Sequence, residues 1–312
     1  MSSLDPVALF FLLGFLAGLL RSELRLPPAI YEFLSIVLLV AIGLKGGVEL
    51  AKQNLLTLLP EVLAVMSLGV VLPLIAYPLL KAFGKFKRAD AASVAAHYGS
   101  VSVGTYAVAV AYLQQHGVSF ESHAPLYVVL LELPAIVVGI VMARGFSRET
   151  NWGKLSHEVL LGGSIVLLGG GFLIAWIVGP KAVEPLEPFF FKLFPGFLAL
   201  FLLEMGLIAA SQAAGLRRYG VFLLLFGILM PLLGATISGL LGLGLGLSVG
   251  GTMLLSTLGA SASYIAVPAA MRLAVPEANP GLSLGASLGI TFPFNVVVGV
   301  PMYLSWAQWL HS

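Results

Sequence analysis

The chain has no cysteine, and charged residues make up only 10% of its 312 positions, against 59% hydrophobic residues. Without thiols, disulfides and thiolate metal sites are excluded, and the redox compartment leaves no mark. A soluble domain carries about 25% charged residues, so this chain lacks the groups to cover a water-facing surface. Its charges sum to only +2, which gives no pull toward nucleic acid or a strongly acidic partner. Catalytic motifs are missing too. Gly84-Lys85 is followed by Phe86 and Gly153-Lys154 by Leu155, so no phosphate-binding loop is present to power transport with ATP. No His-Glu-x-x-His pattern occurs for a membrane metalloprotease. The expectation is a non-enzymatic chain with no cofactor.

What is present is a succession of apolar runs, and a helix needs about 20 such residues to cross a bilayer. Stretches near 6–21, 29–45, 55–81, 90–115, 124–145, 156–178, 189–213, 218–240, 247–274 and 281–310 give ten expected spans in an all-α integral membrane protein. Met1 to Leu20 carries Asp5 and no basic residue before its apolar run, so it reads as a retained first helix rather than a signal peptide. With the N-terminus outside, connections on one side hold twelve Lys and Arg residues, among them Arg21, Arg25, Arg88, Arg144 and Arg272. The other side holds four: Lys45, Lys52, Lys181 and Lys192. The positive-inside rule then places both termini on the non-cytoplasmic side of the membrane.

The two halves echo one another. Gly43-Leu44 matches Gly206-Leu207, Pro73 matches Pro231, and Gly99-Ser-Val-Ser102 matches Gly259-Ala-Ser-Ala-Ser263. Pro134 to Gly139 resembles Pro293 to Gly299 with one residue inserted. Matches in one order imply a repeat of five spans, and an odd number inverts the second copy. The halves are expected at 1–145 and 156–312, joined by a cytoplasmic hinge at 146–155. Gly14 with Gly18 asks for no more than close helix packing.

Irregular backbone at membrane depth survives only where protein or a cavity surrounds it. Two segments have that character: 96–105 in the fourth span and 256–264 in the ninth, each rich in glycine and hydroxyls. If both spans are broken, the second half-helices aim free N–H groups and positive dipole ends at one place, which suits an anion. Gly99, Ser100, Ser102, Gly259, Ala260, Ser261 and Ser263 are therefore the candidate anion site, although a serine in an intact helix would bond back to a carbonyl one turn earlier. Glu132, Thr291 and Asn295 are candidate oxygen ligands for sodium, with Thr105 beside them. Glu132 is also a candidate for proton exchange, or for a packing hydrogen bond. Lys45 and Glu204 read as a structural ion pair or snorkelling groups, His97 as a histidine satisfied beside the first break, and His116, His123, His157 and His311 as solvated span ends. The run Gly242 to Gly246 reads as a flexible connection.

Gly99-Ser-Val-Ser-Val-Gly-Thr-Tyr106 and Gly259-Ala-Ser-Ala-Ser-Tyr-Ile-Ala-Val-Pro-Ala-Ala270 resemble the cyanobacterial sodium-dependent bicarbonate transporter family, over nearly the whole chain. The resemblance implies a gate domain from spans 1, 2, 6 and 7, a core domain from spans 3–5 and 8–10, and a homotrimer. It also implies sodium-coupled bicarbonate uptake through the bilayer, with sodium as the coupling ion, and a cytoplasmic PII-like regulatory partner that binds adenine nucleotides. Family members carry a longer insertion between the halves than the basic stretch Arg144 to Glu158 here. The alternatives are a carrier of the same architecture for another small anion, or a sodium–proton exchanger. A channel or a membrane-embedded enzyme stands further off.

Overall fold

The computed structural model describes residues 6–51, 55–145, 153, 157, 161–215 and 220–312. All regular structure among them is helical. The first half contains α1 (Pro6–Leu19), α2 (Pro28–Leu50), α3 (Leu55–Ala82), α4 (Arg88–Gly99), α5 (Val103–Gln115) and α6 (Pro125–Arg144). The second contains α7 (Gly163–Val178), α8 (Phe194–Gly215), α9 (Gly220–Gly244), α10 (Val249–Ala260), α11 (Ala266–Ala274) and α12 (Pro280–Leu310). The expected hinge at 146–155 lies outside the described residues apart from Gly153, as do Lys52, Arg148, Lys154, Arg217 and Arg218.

Proline opens α2, α6 and α12, where its missing N–H costs nothing and its fixed φ suits a first turn. Among the described residues six helices are long and apolar enough to cross a bilayer: Pro28–Val48, Leu58–Ala82, Pro125–Arg144, Phe194–Gln212, Gly220–Gly244 and Pro280–Leu310. Shorter apolar helices run over Leu9–Leu19, Ile165–Val178 and Val249–Ala260. Their outer faces carry exposed Leu13, Leu16, Leu63, Leu74, Ile174, Ile177, Leu229 and Leu240. Lipid solvates such a surface and water does not, so the chain is a multi-pass all-α membrane protein.

Small residues set how closely the helices pack. A Cβ on Gly14 or Gly206 would strike the backbone where α1 meets α8, and one on Gly43 or Gly47 would strike α7. Gly99 lies against the ring of Pro73 in α3, and Gly259 against Gly234 and Ser238 in α9. The run after α9 is mostly not a loop: helix continues through Gly244, and Gly246 alone takes a positive φ of 72° at the turn. The interior is polar at its centre. Ser93, His97, Ser100, Ser102, Thr105, Ser256, Thr257, Ser261, Ser263, Thr291 and Asn295 are all buried.

Candidate functional site

Helical bonding stops at both serine clusters. Ser100 caps α4 in extended conformation, its N–H still bonded to the Ala96 carbonyl at 3.1 Å. Ser102 then starts α5: its Oγ accepts the Thr105 N–H at 3.0 Å and the Thr105 hydroxyl at 2.9 Å. A cap of this kind contributes about 1 kcal/mol, because it satisfies one of the donors every helix start leaves free. The second interruption begins at Ser261, extended at φ −84° and ψ 167°, and ends at Ile265. Ser263 Oγ accepts the Val267 N–H at 3.4 Å.

The two interruptions touch. The Ser102 N–H donates to Ser261 Oγ at 3.0 Å, and the Ser263 N–H donates to the His97 carbonyl at 2.8 Å. Residues about 160 positions apart thus close each other's broken ladders. Asn295 of α12 completes the join, its amide donating to the Ala260 carbonyl at 2.8 Å and its oxygen accepting the Tyr303 hydroxyl at 2.7 Å. Thr291 donates to the Gly227 carbonyl at 2.7 Å, so the Tyr98 hydroxyl must be the donor in its 2.6 Å bond to Thr291 Oγ1.

The expected residues divide by what their polar atoms already do. Ser261 donates to the Leu258 carbonyl at 2.8 Å and accepts from Ser102, so it is a brace rather than a free donor. Gly99 and Gly259 serve the approach of α3 and α9. Ser100 Oγ is buried and bonded to nothing among the described residues. The N–H groups of Val103 and Gly104 open α5 and have no carbonyl one turn before them. Of the candidate cation ligands, Thr105 joins Ser102, while Thr291, Asn295 and Glu132 share no hydrogen bond with one another among the described residues. Glu132, 4% exposed, lies on the α6 face of Ile136, which packs with Val267 and Met271 of α11. It sits three residues before Ala135, whose side chain lies beside Gly99 at the end of α4.

Beside the crossing, Ser35, Leu38, Val103, Gly104, Phe201 and Ile265 enclose about 10 Å³, room for about one water. A larger cavity of about 270 Å³ lies between α2, α5 and the turn before α8, lined by Ile42, Lys45, Tyr106, Gln114 and Phe190. Lys45 stands 5.9 Å from the ring of Phe120, whereas Glu204 lines a separate cavity with Arg21 and Arg25.

His123 is not solvated. It is 5% exposed, with Nε2 2.5 Å from Glu61, which Tyr127 also contacts. Buried charge requires such partners, and Glu61 supplies one from 62 positions away. The tyrosines were missed as well: Tyr98 and Tyr264 each adjoin a serine cluster, and that adjacency was the available signal. Tyr264 sets its hydroxyl against Gly104 at the start of α5.

The chain matches the model of the Na+-dependent bicarbonate transporter superfamily over residues 6–308, and it belongs to that superfamily. No curated protein matches it.

Proposed function

We propose that this chain is a sodium-coupled symporter that imports bicarbonate across the cytoplasmic membrane by alternating access. The observation that carries the reading is the pair of hydrogen bonds, Ser102 to Ser261 and Ser263 to His97, joining two broken helices in a chain of this superfamily. Ten spans, with α4–α5 and α10–α11 each counted as one, form two inverted repeats of five. The packing of Gly43 on α7 and of Gly206 on α1 supports that plan, because equivalent glycines meet equivalent helices. Spans 1, 2, 6 and 7 make the gate domain, and spans 3–5 and 8–10 the core that moves past it as an elevator. The assembly is a homotrimer whose arginine-rich face is cytoplasmic, with both termini on the other side. A PII-like partner that binds adenine nucleotides regulates it from the cytoplasm.

In this reading bicarbonate takes hydrogen bonds from Ser100, Ser102, Ser263 and the first N–H groups of α5. No arginine or lysine is needed, because helix N-termini carry partial positive charge. Sodium takes oxygens of Thr105, Glu132, Thr291 and Asn295. At 4 Å two opposite charges attract by about 1 kcal/mol in water but about 4 kcal/mol at an effective dielectric constant of 20. Burial at the crossing thus turns two weak ligands into a coupled pair.

Uptake of labelled bicarbonate into vesicles containing the purified protein tests this. Uptake collapses when potassium replaces sodium; unchanged uptake removes the coupling.

A further inference from the structure

A second chamber, of about 160 Å³, lies between α4, α11 and the start of α12. Ser93, His97, Met271, Arg272 and Ser283 are among its lining residues. His97 is 1% exposed, and its Nδ1 stands 2.7 Å from the Ser93 carbonyl. A carbonyl can only accept, so Nδ1 carries the hydrogen and Nε2 of the neutral ring is an acceptor. That Nε2 is buried and has no partner among the described residues. Buried acceptors without donors are rare, because the group has lost water and gained nothing.

Arg272 brings only donors to the same chamber, and it forms no ion pair among the described residues. The nearby carboxylates are engaged elsewhere. Asp90 accepts the Asn279 N–H at 2.7 Å, and Glu277 pairs with Arg144 at 3.1 Å. The chamber therefore offers one bare acceptor and one guanidinium. A cation would meet Arg272, and an anion without a hydrogen would leave Nε2 unpaired. A small oxyanion that keeps an O–H group satisfies both.

We propose that this chamber is a second anion site, selective for hydroxyl-bearing oxyanions of the bicarbonate type, whose O–H donates to His97 Nε2 while the charged oxygens face Arg272. The identity of the occupant rests on the transport reading above; the donor–acceptor chemistry does not. His97 also links the site to the crossing, since its carbonyl accepts the Ser263 N–H. An ion leaving the crossing toward the face of Arg88, Arg144 and Arg272 meets this chamber next.

Counterflow of labelled bicarbonate in oriented vesicles tests it, with Arg272→Gln as the first variant because that side chain is exposed. The half-saturating bicarbonate concentration at the arginine-rich face rises about tenfold, the worth of one charge-assisted hydrogen bond, and that at the opposite face is unchanged. A rise at both faces, or at neither, overturns the site. In the wild type nitrate and formate compete poorly at the arginine-rich face, and His97→Asn, which keeps a donor for Ser93 but is too short to place an acceptor where Nε2 stands, removes that discrimination. Equal competition in wild type and variant overturns the role of His97. If the wild type carries no bicarbonate, the transport reading fails by itself. Equilibrium binding of labelled bicarbonate to purified protein then decides the chamber: Arg272→Gln lowers bound bicarbonate if the site exists, and identical binding overturns it.

Discussion

The two interruptions are built from nearly the same residues and use them differently. At the second, Ala260 receives Asn295, Ser261 both donates and accepts, and the Ser263 N–H is spent on His97. At the first, Ser100 keeps a buried hydroxyl bonded to nothing among the described residues, and the Tyr264 hydroxyl of the second copy sits against Gly104 at the start of α5. A buried donor left free costs about 1–3 kcal/mol. The contrast teaches that a repeated motif can keep its residues and change their partners: the Ser261 hydroxyl is bonded on both sides and the Ser100 hydroxyl on neither.

Substitutions break or sharpen that contrast. The largest effect is expected at Gly259→Val, where a side chain would enter Ser238 and the Gly234 backbone. Overpacking of this kind costs about 3 kcal/mol, and the folded fraction in size-exclusion chromatography falls sharply. Asn295→Leu orphans the Ala260 carbonyl and the Tyr303 hydroxyl together and lowers stability by about 2 kcal/mol, read as a drop in thermal midpoint. Ser261→Ala removes the acceptor of the Ser102 N–H, for about 1 kcal/mol. Ser100→Ala does not lower the midpoint but raises it, since no bond is lost and a buried unpaired hydroxyl is removed. Equal destabilisation by the two serine variants would erase the division between bracing and binding.

Much of this was legible in the sequence because it depends on local chemistry. Proline marked three helix starts, and Gly-Ser clusters at 96–105 and 256–264 marked the interruptions, since neither residue favours a continuous apolar helix. What was not legible depended on partners distant along the chain. Ser261 looked like an anion ligand because nothing near it reveals the Ser102 N–H that it accepts. His123 looked solvated because Glu61 lies on another helix. At Gly99 and Gly259 a Cβ would meet Pro73 of α3 and Ser238 of α9, neighbours that nothing in the local sequence names. Glycine signals close approach without saying what approaches.

The central claim is that the transported anion is held where the two interruptions cross, with the Ser100 hydroxyl among its donors. Sodium-driven uptake of labelled bicarbonate by Ser100→Ala, normalised to folded protein, tests it most directly. Loss of one hydrogen bond to a charged ligand predicts uptake at subsaturating bicarbonate reduced about tenfold, with a thermal midpoint no lower than the wild type's. Wild-type uptake by that variant would contradict the account.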